Sequence, residues 1–587
     1  MSRSRSAFTR FVIVAVSVPA LVLLPGCGGE SEPAEESAAL GAAAPAAGTA
    51  VDPNTCRSIY PSYWQDPNPK FAEQWVGQQV SNVPPEGYTG PVFRLSDGYP
   101  TSLPDERADQ PWRDARFDAM FDPSTDQATK TQLANDYIWA VMRYSQEGNL
   151  ENDWDVCENT QRNWYHMPFQ TYDVLSGREF THGLTREAPV KFSVNTTSDL
   201  LDTTMWAVGY FNPTAAYTLG QIWEADGTPE FPTENIDFAE GAVVAKPLFN
   251  TSSPAQLPVL SNMPAWKANI SEPSFCACKP AAGESSCSMV EQSQQCPRSL
   301  DAYGPVSLLQ FDIAVKDSRA PGTAWVFGTF VADGVRKAGE PEPWNRIAPL
   351  GLMWGVEPPP AGQLAYDHPA DPRTNGFEDM VIFWDTVDML NEYGGGQKEL
   401  WPGHLGCNQR LDGPADNQNS ACMSCHMTAS VVDENLNTPP IVAQFYFEGG
   451  KPGLTAQCVE PDAGNPNQGV DAGGAKRSTV NGVSFADIDS LYFFNTAAAT
   501  PFNTTVGGTD VLPTMPVYAS GRKEWISLDY SLQLSISLLQ WSQWDQHAPQ
   551  PDDDAAPESV QLTELTPAAD RDHVKLPRRN VDLDARR

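Results

Sequence analysis

Six short runs of β-branched and aromatic residues, between about Ala188 and Val356, set the first constraint on this fold: VKFSV, MWAVGYF, GAVVAKPLF, SLLQFDIAV, AWVFGTFVA and LGLMWGV. Each has strand length, and the Pro, Asn, Gly and Asp between them supply turns. Strands in this number bury their apolar faces against one another or against a helix, so the region is expected to be a sandwich or barrel resting on the helical segment before it. That segment, DPSTDQATKTQLANDYIWAVMRYSQEGN, places Leu133, Tyr137, Ile138, Val141 and Met142 at the spacing of an amphipathic helix, with Ser124 as the expected N-cap. Two later stretches, FEDMVIFWDTVDMLNEY and EWISLDYSLQLSISLLQWSQW, also read as helices.

The chain has 587 residues, more than one hydrophobic core usually organises. The expected class is therefore multidomain α+β. A mixed segment with a helix spans residues 56–187, a β-rich, sandwich-like domain residues 188–373, and a mainly α-helical domain residues 374–547. Residues 548–587 read as a charged, disordered tail. The 52 Pro and 43 Gly imply many turns and long connections. Acidic residues outnumber basic ones by 74 to 38, a formal charge of −36. Such a surface repels phosphate backbones and anionic headgroups, which argues against nucleic-acid binding and admits a cationic partner.

Arg3, Arg5 and Arg10 precede the apolar run Phe11 to Leu24, a signal peptide by length and too short to span a bilayer. The run ends in LPGC, which resembles the lipobox of bacterial lipoproteins. The resemblance implies a signal peptide over residues 1–26, acylation of Cys27 and, with Gly28 following, an outer-membrane address or a periplasmic face. Residues 27–55, rich in Ala, Gly, Glu and Pro and lacking aromatics, read as a flexible tether. A lipid anchor and tether would hold a folded body at a membrane without a transmembrane helix.

The stretch NSACMSCHMTAS contains Cys422, Cys425 and His426. Covalent haem c needs two thiols for the two vinyl groups and an adjacent imidazole for one axial position of the iron, and C-x-x-C-H supplies that set. A redox dithiol is the alternative, but its C-x-x-C belongs between a strand and a helix, whereas the upstream flank here is the polar loop LDGPADNQNSA.

The cysteine count tests the same reading. There are 11. With Cys27 given to lipid and Cys422 and Cys425 to haem, eight remain, an even number that an exported compartment could pair. Cys56 with Cys157, pairs within Cys276, Cys278, Cys287 and Cys296, and Cys407 with Cys458 form one plausible connectivity. A four-cysteine zinc site at Cys276 to Cys296 is the alternative, although its spacings are not the usual paired C-x2-C type.

The CMSCH motif resembles that of c-type cytochromes. This implies one covalent haem c, Cys422 and Cys425 as attachment thiols, His426 as proximal ligand and a cytochrome c-like fold for residues 374–547. The segments WYHMPF, GREFTHGLTRE, WVFGTF, GLMWG and SLDYSLQL are similar to an uncharacterised group of exported bacterial haem c proteins, which supplies no substrate. Methionine-ligated cytochromes place that methionine after the motif, often beside proline, and LPTMPVYASGRKEW offers Met515 so placed. His404, His182 and His166 are rival sixth ligands. Trp401, Tyr446, Tyr492, Trp525 and Tyr530 are candidates to line an apolar haem pocket or simply to pack a core. Three functions follow: a membrane-anchored one-electron carrier with a redox partner protein, a haem-dependent oxidoreductase with a pocket at the β-domain, or a β-sandwich binding module with a haem sensor. Oligomeric state is not legible.

Overall fold

The computed structural model describes residues 86–106, 109–168, 172–173, 177–178, 185–193, 200–224, 227–268, 270, 279–283, 295, 300, 305–320, 323–354, 380–393, 411–416, 422, 426, 429–432, 469–470, 476–477, 505–506, 509–510 and 525–547. A small hairpin, β1 (Tyr172–Asp173) with β2 (Gly177–Arg178), leads into the main sheet. That sheet comprises β3 (Thr185–Ser193), β4 (Leu200–Ala207), β5 (Tyr210–Phe211), β6 (Val243–Asn250), β7 (Ala265–Lys267), β8 (Pro305–Lys316), β9 (Trp325–Ala332), β10 (Ile347–Met353) and β11 (Met380–Ile382). The order is β11-β10-β9-β8-β6-β4-β3, with β5 on β6 and β7 on β8. Every pairing is antiparallel. All six β-branched runs contribute to this one sheet, and with the helices around it the class is α+β.

Side chains alternate faces along a strand, and β8 and β9 use both faces. Phe311 meets Trp154 at a ring-centroid distance of 5.1 Å, and Phe330 meets Trp139 at 4.9 Å. A Cβ on Gly328 would lie 3.0 Å from both Ile138 and Ile313, so the helix carrying Ile138 sits directly on the sheet there. The opposite register, Gln310, Asp312 and Lys316 on β8 with Phe327 and Thr329 on β9, meets chain from beyond residue 410.

The helix on the first face is α2 (Gln127–Gln146), preceded by the short α1 (Asp118–Phe121). Ala134, Tyr137, Ile138, Val141 and Met142 are buried, as their spacing predicts. The cap is Asp126 instead of Ser124. Asp126 immediately precedes the first helical residue, so its carboxylate accepts the Thr129 N–H at 3.0 Å, while Ser124 donates its N–H and hydroxyl to Asp122. Helix α3 (Pro213–Leu219) is capped in the same way by Asn212, which accepts the Ala215 N–H.

Two stretches expected to be wholly helical begin as strands. FEDMVIFWDTVDMLNEY divides into β11 and α4 (Trp384–Tyr393), because Met380, Val381 and Ile382 pair with the open edge of β10. EWISLDYSLQLSISLLQWSQW opens as a strand paired to β12 (Ser430–Val432). After β12 come two short hairpins, β13 (Gly469–Val470) with β14 (Lys476–Arg477) and β15 (Thr505–Val506) with β16 (Thr509–Asp510), and then β17 (Trp525–Ser527), the partner of β12. Helix α5 (Leu532–His547) follows a turn at Asp529 and Tyr530. An available ladder outweighs helical spacing in both places.

One continuous apolar cluster takes in Phe93 and Trp112, the inner strands, Leu411, Val431 and Leu538. Segments assigned from sequence to three regions thus share a core. Among the described residues no helix is long and apolar enough to cross a membrane. Ile138→Ala, at a fully buried position between α2 and β9, is expected to lower unfolding free energy by about 2–5 kcal/mol in a denaturant titration, with the slope unchanged.

Candidate functional site

Within the cysteine–histidine motif, His426 is held between Phe327 on β9 and the turn that follows β17. Cys422 and His426, four positions apart in the sequence, each have helical backbone. The Cys422 N–H donates to the Leu411 carbonyl at 3.0 Å, and its side chain packs against the core cluster. On the other side of the motif, the Ala429 N–H donates to the His426 carbonyl at 3.1 Å, and the Ala429 carbonyl accepts the Leu528 N–H at 3.0 Å. Both Cys422 and His426 are half-buried.

The His426 ring lies against Phe327, with centroids 4.3 Å apart and planes 40° apart. Its Nδ1 is 2.8 Å from the Tyr530 carbonyl oxygen. A carbonyl only accepts, so Nδ1 carries the hydrogen and Nε2 keeps the lone pair. No described residue hydrogen-bonds Nε2. Burial pushes the imidazole pKa down to about 4, the Lys246 cation pushes the same way, and the Tyr530 carbonyl opposes them. The ring is therefore neutral at pH 7, in the tautomer a metal ligand needs. These features fit haem c: a fixed neutral imidazole with Nε2 uncommitted, and a thiol four positions before it in the sequence.

A polar stripe runs along the sheet face beneath the motif. Lys246, Asp312 and Thr329 are register partners on β6, β8 and β9. The Gln310 Nε2 group donates to both Asp312 carboxylate oxygens at 2.9 Å and to Asp416 Oδ2 at 2.7 Å, while its Oε1 accepts the Ala415 N–H at 2.9 Å. The Thr329 hydroxyl donates to Asp312 Oδ1 at 3.0 Å. Gly413 lets this loop approach, since a Cβ there would stand 2.0 Å from Gln310 Oε1. Burial, and then the Asp416 charge, hold the carboxyls of Asp312 and Asp412 well above the usual range. Asp412 Oδ2 has no hydrogen-bond partner among the described residues.

Of the other sequence candidates, Cys27, Cys425, Met515, His182, His404, Trp401, Tyr446 and Tyr492 lie outside the described residues, as do the four cysteines of the alternative zinc site. Trp525 is in β17, and Tyr530 contributes its carbonyl to His426. Cys157 is disulfide-bonded. His166 is buried, its Nδ1 accepting the Ser96 N–H at 3.1 Å, and its pKa is pushed down to about 3 by burial. Its lone pair is thus already committed to the backbone, and its remaining Nε2–H has no partner among the described residues. No group of three or more His, Cys, Asp and Glu among the described residues is arranged to hold a metal ion. No family model matches the chain, and no curated protein and no solved structure matches it.

Sequence reasoning missed the stripe. The available signal was the placement of Gln310, Asp312 and Lys316 at even positions of an otherwise apolar strand, which marks a face meeting polar groups.

Two opposing pH trends follow. A carboxyl whose folded pKa is raised keeps a proton that the unfolded chain releases, so Asp312 and Asp412 reduce stability as pH rises above about 4. Asp412→Asn is expected to leave the melting temperature near wild type at pH 4 and to raise it at pH 8. A histidine whose folded pKa is depressed contributes stability fully above about 6.5, and that contribution is lost as pH falls toward 3. His166→Gln should show a shallower loss of stability across that window, read from denaturant midpoints in a pH series.

Proposed function

We propose that the chain is an exported, membrane-anchored mono-haem c protein that passes single electrons to a redox partner protein. The observation carrying this reading is the His426 contact: Nδ1–H donated to the Tyr530 carbonyl, with Nε2 left available four residues after Cys422. Cys422 and Cys425 are the attachment thiols, His426 the proximal ligand and Met515 the sixth ligand. Residues 374–547 are read as the cytochrome c-like region, with the β-rich region 188–373 as its support and docking body. A bound haem c supplies a reversible one-electron couple whose potential depends on its axial ligands and their hydrogen bonds.

The chain's own residues account for the rest. The Tyr530 carbonyl fixes the His426 ring and its tautomer, Phe327 covers one side of that ring, and the neighbouring Lys246 discourages its protonation. Export is supported by the leader-like residues 1–26 and by the disulfide at Cys157, a bond that persists in oxidising compartments. Anchoring is assigned to Cys27. The acidic balance of the chain favours a basic partner surface.

Protein matured in cells that attach haem c should retain covalent haem after denaturation, with one haem per chain by alkaline pyridine absorption. Cys422→Ser with Cys425→Ser should lose it; absence of covalent haem in the wild type ends this reading. Met515→Ala should convert a low-spin to a high-spin spectrum, and an unchanged low-spin spectrum removes Met515 as ligand.

A further inference from the structure

Lys316 on β8 is almost fully buried, and its ammonium is 2.6 Å from Asp237 Oδ1 and 2.5 Å from Asp529 Oδ2. The same Asp529 oxygen accepts the Phe238 N–H at 2.8 Å. The Asp529 N–H donates to Ser527 Oγ at 3.1 Å, and residue 527 is itself held to the 235–238 segment by Ser527 N–H to Asn235 Oδ1 at 2.6 Å and Ile236 N–H to the Ser527 carbonyl at 3.0 Å. Asp529 is thus fixed from the sheet, from a loop and from its own turn.

This anchoring has a local purpose in the backbone. Asp529 and Tyr530 are consecutive residues with φ of 50° and 66°, a left-handed conformation that side-chain-bearing residues rarely adopt and that is strained. Without external contacts the pair would relax to right-handed or extended backbone. The left-handed turn directs the Tyr530 carbonyl toward two donors, His426 Nδ1–H at 2.8 Å and Leu532 N–H at 3.1 Å.

We infer that Lys316 and Asp529 are positioning residues that set the electron affinity of the site by holding the Tyr530 carbonyl on the His426 Nδ1–H. The inference rests on the haem c reading. A well-held Nδ1–H···O bond makes the imidazole a stronger donor and favours the oxidised metal; a loosened bond favours the reduced one.

The fully matured chain is the material for the test, and wild type must first show covalent haem, since its absence overturns the parent reading before this one is reached. Asp529→Asn and Lys316→Met are then compared by redox titration and by proton-exchange NMR of the His426 Nδ1–H. Positioning requires both variants to raise the reduction potential, by about a tenfold shift in the oxidised-to-reduced ratio, ~59 mV for one electron, and to speed that exchange. A field effect of the two charges gives opposite signs, because removing the Lys316 cation lowers the potential while removing the Asp529 anion raises it. Opposite signs, or unchanged potentials, overturn the inference. Should either variant fail to fold with haem, Ser527→Ala removes only the brace on the Asp529 N–H. A smaller rise with faster exchange supports the inference, and an unchanged potential overturns it.

Discussion

Strand β8 is covered on both sides, and each side makes a different chemical demand on it. Odd-numbered residues such as Phe311 and Ile313 join the apolar packing under α2, whereas Gln310, Asp312 and Lys316 face chain that arrives more than a hundred residues later. A one-residue slip of register would bury the charges against α2 and turn the apolar set toward the polar loop. The matching alternation on β9, with Phe330 on one side and Phe327 and Thr329 on the other, fixes the same register a second time.

That division explains why the motif sits where it does. An apolar sheet face would offer the 411–416 loop nothing to bond, and this loop, through Leu411, supplies the carbonyl for the Cys422 N–H. The ion pair of Lys316 with Asp529 ties down the turn after β17 in the same way. Charges buried this deeply weaken a fold unless each is paired, so their worth here lies in specifying one arrangement of distant segments. The histidine between these two polar anchors needs no charge of its own, and its environment keeps it neutral.

The sequence was informative where a single local pattern decided the outcome. Short runs of β-branched and aromatic residues located most strands of the main sheet, β7 and β11 excepted, and 3.6-residue spacing located α2. It was misleading where two patterns competed: Val381 and Ile382 carry helical spacing and strand propensity together, and only the exposed edge of β10 decides between them. Ser124 and Asp126 are both good caps, separated by a single residue, Thr125, and the sequence does not fix the backbone there. Cys422 and His426 stand out in the sequence because their spacing alone marks them as a motif. Lys316 and Asp529 do not stand out there, and Tyr530 does so only as a possible lining ring, since their roles depend on a backbone carbonyl, a left-handed turn and partners 79, 213 and 104 residues away in the chain.

The polar stripe also bears on how the chain is made. When β6, β8 and β9 have been synthesised, the loop that will close over Gln310 and Asp312 and the Asp529 that will complete the pairing of Lys316 are still to come. During that interval the uncovered face shows water an amide and charged groups in place of a continuous greasy surface, which makes the half-built sheet a poor seed for stacking against another copy. The same side chains that later fasten the carboxy-terminal region thus act earlier as gatekeepers of solubility.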